Sequence, residues 1–241
     1  MKRIVAIFVA IALLLGLSSV VLAAEPAKKP ITPPQLKEIT FIHYAAKPGK
    51  PQPPPVDNTA YKLLGVKLPG TVSYYVNPSG ATAGALTEIE VAFETWDRVT
   101  GAELFNSALQ TTALGLSKDG QSTVSWVGIA PSTIIAMTRL WYWDDNDPNT
   151  LDPIEEFDIV FNALLKWGID PDDVGPLKLK SAYDVHNIAT HEAGHVVGLG
   201  DLYEDAYREL TMYGYSAKSE TIKISLEAGD ITGAQKLYGA P

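Results

Sequence analysis

The segment His191-Glu192-Ala193-Gly194-His195-Val196-Val197-Gly198-Leu199-Gly200-Asp201 constrains this chain more than any other. On a helix, positions i and i+4 share a face, so His191 and His195 can reach one metal ion. Neutral imidazole nitrogens suit zinc, and a site with three protein ligands keeps a position for water. Glu192 follows the first histidine and can act beside that water as general base. Gly198 can take positive φ, ending the helix with a sharp reversal that brings Asp201 back as third ligand. The bare five-residue pattern recurs by chance. The glycine and the carboxylate falling in step with it make the metal reading much more specific.

Composition supplies exclusions. The 241 residues include no cysteine, which removes disulfides, thiolate zinc ribbons, iron–sulfur clusters and cysteine nucleophiles. A net charge of −9 leaves little to neutralise phosphates, so a nucleic-acid partner is not expected. At the N-terminus, Lys2 and Arg3 precede an apolar run over 4–17, then Ser18, Ser19 and Val21-Leu22-Ala23, the pattern of a cleaved signal peptide over 1–24. The rival is an uncleaved anchor, because 4–24 approaches the ~20 residues that span a bilayer. Both place the remainder outside the cytoplasm, secreted or membrane-anchored. Cleavage would remove Lys2 and Arg3 and move the charge from −9 to −11.

Residues 25–58 carry nine prolines, a density that reads as a linker or propeptide-like tether. Only 39–44, with His43, looks able to dock. A docking or free segment is the simpler expectation; the alternative is a mask in which 39–44 blocks the cleft and His43 reaches zinc. Globular patterning covers 59–241. Strands are expected at 71–77, 124–127, 134–143 and 157–161. Helices are expected at 86–99, with Ile89, Phe93, Trp96 and Val99 on one face, at 183–197, and at 226–237 with Ser225 as N-cap. This order describes an α+β or α/β domain.

Beyond the histidine pattern, three stretches carry a resemblance: Leu210-Thr211-Met212-Tyr213-Gly214-Tyr215, Phe157-Asp158-Ile159-Val160-Phe161-Asn162, and 226–239. With these, the chain resembles the matrixin branch of the metzincin zinc endopeptidases, most of all its short archaeal and bacterial members, over 61–241. The resemblance implies a metzincin (zincin-like) catalytic domain: a twisted mixed sheet above an active-site helix, a Met-turn and a C-terminal helix. It implies one catalytic zinc on His191, His195 and Asp201, with Glu192 activating the zinc-bound water to hydrolyse peptide bonds. Gly198 and Met212 would support the site, Met212 as a floor and not a ligand. The strand around 134–138, including Ala136, would pair with an extended protein or peptide substrate. Gly214 and Tyr215 would line the wall of its pocket, the alternative for Tyr215 being a place among the metal ligands. Animal matrixins carry histidine where Asp201 stands and proline where Gly214 stands, and they use a propeptide cysteine that this chain lacks.

The remaining candidates are weaker. His186 lies five residues before His191, about 140° round a helix, so it faces away from the metal and is expected at the surface or a helix-end contact. Asp145, Asp147 and Asn149 imitate a calcium loop, but Thr150 stands where glycine is needed, and a solvated hairpin loop competes with Ca2+ there. The four histidines allow a single zinc site. A monomer is expected. The alternative function is a secreted or tethered binding protein on a metzincin scaffold with structural zinc.

Overall fold

Three eleven-residue stretches build the longest strands, and they pair side by side in the sheet that carries the candidate site. The computed structural model describes residues 33–46, 56–170 and 181–241. The expected signal segment therefore lies outside the described residues. The elements run β1 (Gln35–Ala45), β2 (Val66–Lys67), β3 (Tyr75–Val76), α1 (Ala85–Asp97), β4 (Leu109–Gln110), β5 (Thr123–Val127), β6 (Ile134–Asp144), β7 (Asp152–Asn162), β8 (Trp167–Gly168), β9 (Tyr183–Asp184), α2 (Val185–Val197), β10 (Tyr215–Ser216) and α3 (Ala228–Tyr238). Short 3₁₀ turns occupy Asp205–Tyr207 and Ile222–Ile224.

The main sheet has the order β10-β1-β6-β7-β5-β3-β4, with β2 also paired to β7. The β1–β6 and β6–β7 pairs are antiparallel, whereas β7–β5, β5–β3, β3–β4 and β1–β10 are parallel. A mixed sheet with three helices is an α+β, metzincin-like fold. Phe157, Ile159 and Phe161 of β7 join Ile135 and Leu140 of β6 in the core. Ile89, Phe93 and Trp96 on α1 meet that core from the helical side, as their i, i+4, i+7 spacing requires.

Helix α2 is buried along all thirteen residues. A helix with no solvated face is a central one, and its polar residues must then find partners inside the protein. Asp184 caps its start by accepting from the Asn187 N–H at 2.8 Å, a contact worth about 1 kcal/mol. Gly198, at φ 109°, ends it. A side chain there would be strained by that φ and would also run into the Val66 carbonyl. Gly194 is needed for a different reason: a Cβ would collide with Met212 Sδ and with the Trp96 ring at 2.8 Å. Trp96 Nε1 donates to Thr190 O at 2.9 Å, tying α1 to α2.

Four expectations need correction. The strand expected over 71–77 shrinks to Tyr75–Val76, with Val72 making one bridge to Phe105. The N-cap of α3 is Glu227, not Ser225; a capping box with Asp230 sets the start two residues later. His186 is buried in the first turn of α2, so of its two expected places it takes the helix-end contact and not the surface, with Nδ1 3.4 Å from Glu88 Oε2 on α1. The linker assigned to 25–58 contains β1, a strand flanked on both sides, so the sheet reaches past the boundary drawn at residue 59. Residues 35–45 hold no proline, and the composition of their flanks concealed them.

Candidate metal centre and cleft

His191 and His195 sit one turn apart on α2, and the reversal at Gly198 returns Asp201 to them. Asp201 Oδ1 lies 3.3 Å from His191 Nε2 and 3.6 Å from His195 Nε2. Each of these three atoms is buried and lacks a hydrogen-bond partner. The opposite atom of each residue is anchored. His191 Nδ1–H donates to Thr211 O at 2.7 Å, His195 Nδ1–H donates to Leu199 O at 2.8 Å, and Tyr203 Oη donates to Asp201 Oδ2 at 2.9 Å. Both histidines thus hold the tautomer that turns an Nε2 lone pair inward. Burial pushes both imidazoles down, favouring the neutral, ligating form. Burial pushes Asp201 up, but the adjacent His195 and His191 hold its carboxyl below the usual carboxylate range.

Three unpartnered donor atoms at this spacing are costly unless a cation sits among them. Two imidazole nitrogens and one carboxylate oxygen make a donor set that fits zinc. Among the described residues, the other clusters of this kind are His43 with His191 and Glu192, and Asp144 with Asp145 and Asp152. Asp145, Asp147 and Asn149 use their side chains on their own loop. Asp145 accepts from Asp147 N and Thr150 Oγ1, and Asp147 accepts from Asn149 N and Nδ2.

Glu192 is fully buried beside the cluster, and burial raises its pKa. Thr138 Oγ1 on β6 donates to its Oε2 at 2.6 Å. Its Oε1 lies 3.2 Å from His43 Nδ1, and His43 Nε2 lies 3.0 Å from Ser216 Oγ on β10. Burial pushes the His43 imidazole down to about 3, so its contact with Glu192 is a hydrogen bond between a neutral ring and the carboxyl group. His43 thus meets Glu192 and Ser216 with its two nitrogens and lays its ring against that of His191, so the segment 39–44 does lie over the cluster.

Met212 is buried against α2, its Sδ lying where a Cβ at Gly194 would fall. It is also held from the C-terminal helix, where Asp230 accepts from the N–H groups of Thr211 at 2.9 Å, Met212 at 3.2 Å and Glu227 at 3.0 Å. The residues expected to line the pocket flank β1: Ala136 pairs with His43, Tyr215 pairs with Tyr44, and the Gly214 carbonyl accepts from the Tyr44 N–H at 3.5 Å. Lys223, buried without exposure, donates from Nζ to the Tyr215 carbonyl at 3.0 Å and to Glu220 at 2.6 Å, bracing that wall.

Tyr203, Thr138, Ser216 and Asp230 were absent from the sequence reading. Only Tyr203, two positions past Asp201, had a local signal. Removing its hydroxyl with Tyr203→Phe is expected to weaken zinc affinity roughly 10- to 100-fold, as loss of a ligand's supporting hydrogen bond does. Competition with a chromophoric chelator measures it; an unchanged affinity would show that the hydroxyl does not position Asp201.

Residues 138–239 match the matrixin family model, a span from β6 through α3 that contains the whole cluster. Among curated proteins, metalloendoproteinase 4-MMP of Arabidopsis thaliana is 36% identical over 73 residues, covering 30% of this chain and 19% of that protein. Metalloendoproteinase 1-MMP of Arabidopsis thaliana is 37% identical over 78 residues, covering 32% of this chain and 20% of its own length. Metalloendoproteinase 1 of Glycine max is 40% identical over 79 residues, covering 33% and 24%. This chain thus spans a quarter or less of the length of these curated relatives.

Proposed function

We propose, from a chain that is matrixin-like over residues 138–239, that this protein is a secreted zinc-dependent endopeptidase. The observation that carries the reading is the convergence of His191 Nε2, His195 Nε2 and Asp201 Oδ1, buried and unpartnered, beside the buried carboxyl group of Glu192. These three residues would hold the zinc. When bound, it supplies Lewis acidity that polarises a peptide carbonyl and lowers the pKa of water.

The rest is performed by side chains of this chain. Glu192 takes a proton from the attacking water as the water oxygen joins the carbonyl carbon. It then returns a proton to the departing amine as the C–N bond breaks. The Thr138 hydroxyl bonded to Oε2 holds the carboxyl group in one rotamer for both transfers. Met212 against α2 and Tyr203 at the side keep the ligand residues from shifting. A purely structural metal site would have no use for a buried carboxyl group at this position. The relatives' names, all metalloendoproteinases, support the same class of reaction, with protein or peptide as substrate. Export rests on the pattern over residues 1–24.

The full chain, incubated at micromolar concentration with a mixed peptide library, is expected to cut internal bonds only slowly, because β1 lies between β6 and β10, at a rate that a chelator abolishes and added zinc restores. Metal analysis should give one zinc per chain. Cleavage that persists in chelator would remove the metal from the reaction.

A further inference from the structure

The cleft above the metal cluster is filled by the chain itself. Strand β1 lies between β6 and β10, antiparallel to the first over Gln35–Tyr44 and parallel to the second at Tyr44 and Ala45. It is the neighbour that joins β10 to the sheet. Without it, β6 would present an unpaired edge facing the wall at Gly214–Ser216. Such a gap is shaped to accept one extended strand by main-chain hydrogen bonding.

The side chains that β1 sends inward are concentrated over the site. Phe41 stacks on the His195 ring with centroids 4.0 Å apart and planes 10° apart, and His43 lies 3.9 Å from the His191 ring. His43 is fully buried, whereas Gln35, Leu36, Lys37 and Glu38 at the start of the strand are exposed. The strand thus buries its side chains at the cluster, while its start is held on β6 by the backbone ladder and by Lys37 on Asp144. Its contact with Glu192 is the most consequential. With Oε1 held by His43 and Oε2 by Thr138, both oxygens of the base are engaged.

We propose that β1 is a resident occupant of the groove between β6 and β10, anchored by an aromatic ring and, two residues later, an imidazole, and that it closes the site by capturing Glu192. The proposal takes the endopeptidase reading as its premise. It assigns Phe41 and His43 as the anchors, and it makes displacement of residues 35–45 the condition for a substrate strand to enter.

The test keeps the full chain. A recognition sequence for a site-specific protease is placed within residues 49–53, and the folded, zinc-loaded protein is cut there, in the parent and in a Phe41→Ala/His43→Ala form. In the parent, the N-terminal fragment is expected to stay bound on gel filtration, and hydrolysis of the peptide library should remain at its uncut level. In the double variant the fragment should leave and hydrolysis should rise at least tenfold. A fluorescent peptide of residues 33–46, added to the released chain, should bind and bring hydrolysis back down, and its double-alanine counterpart should bind at least tenfold more weakly. Cutting the folded protein means that the site need not fold without its strand. Release with no gain in hydrolysis, where some form does hydrolyse the library, overturns the proposal. So does binding of the two peptides with equal affinity. If no form cleaves any peptide while binding still depends on residues 41 and 43, the groove and its occupant stand and the endopeptidase reading falls.

Discussion

Replacing Glu192 with glutamine is expected to lower peptide hydrolysis by roughly 10²- to 10⁴-fold while leaving one zinc per chain, the size of effect a positioned acid–base group supplies. Glutamine preserves the shape of the side chain and can still accept from Thr138, so the fold of α2 should be undisturbed. It cannot take a proton from water. The comparison belongs in the Phe41→Ala/His43→Ala background, where the base is not engaged by β1. Hydrolysis within a few-fold of that background would remove Glu192 from the proton transfers. Loss of zinc together with activity would instead make it a support of the metal cluster.

The second large effect is on stability. The fold buries His191 Nε2, His195 Nε2 and Asp201 Oδ1 without hydrogen bonds, and a cation bound among them favours the folded state alone. Zinc at about a thousand times its dissociation constant adds ~4 kcal/mol by mass action. For a domain of this size each kcal/mol moves the melting temperature by about 2–4 °C, so a rise of roughly 8–16 °C is expected over the chelator-treated protein. His191→Ala should abolish the rise, because it leaves two ligands. A melting temperature insensitive to zinc, or an equal response in His191→Ala, would show that these three residues do not bind the metal.

The two experiments separate what the cluster does from what the carboxyl group does. They also bear on β1. A strand that engages the base rather than the metal should leave the zinc-dependent stabilisation intact in the uncut full chain, with hydrolysis suppressed.

The local part of this protein was legible in the amino-acid order. His191, Glu192, His195, Gly198 and Asp201 lie within eleven residues, so helical periodicity and one αL turn dictate their juxtaposition with little help from the remaining fold. The same holds for α1, whose apolar spacing matches the face it buries, and for most of β5, β6 and β7, which read as strands from their runs of β-branched and aromatic residues. Strand β1 was hidden because its pairing is remote: His43 meets Ala136 on β6, Ser216 on β10 and Glu192 on α2. Thr138 stands 54 residues from the carboxyl group it supports, and Asp230 stands 19 from the Thr211 amide it accepts. No periodicity encodes such pairs, because they arise when separate elements pack and each buried polar atom must then find a partner. The sequence by itself determined the metal-binding helix and the chemistry it can hold. Tertiary packing alone decided that the carboxyl group beside it is held by a threonine from one strand and by a histidine from another, and that the latter strand lies where a substrate would.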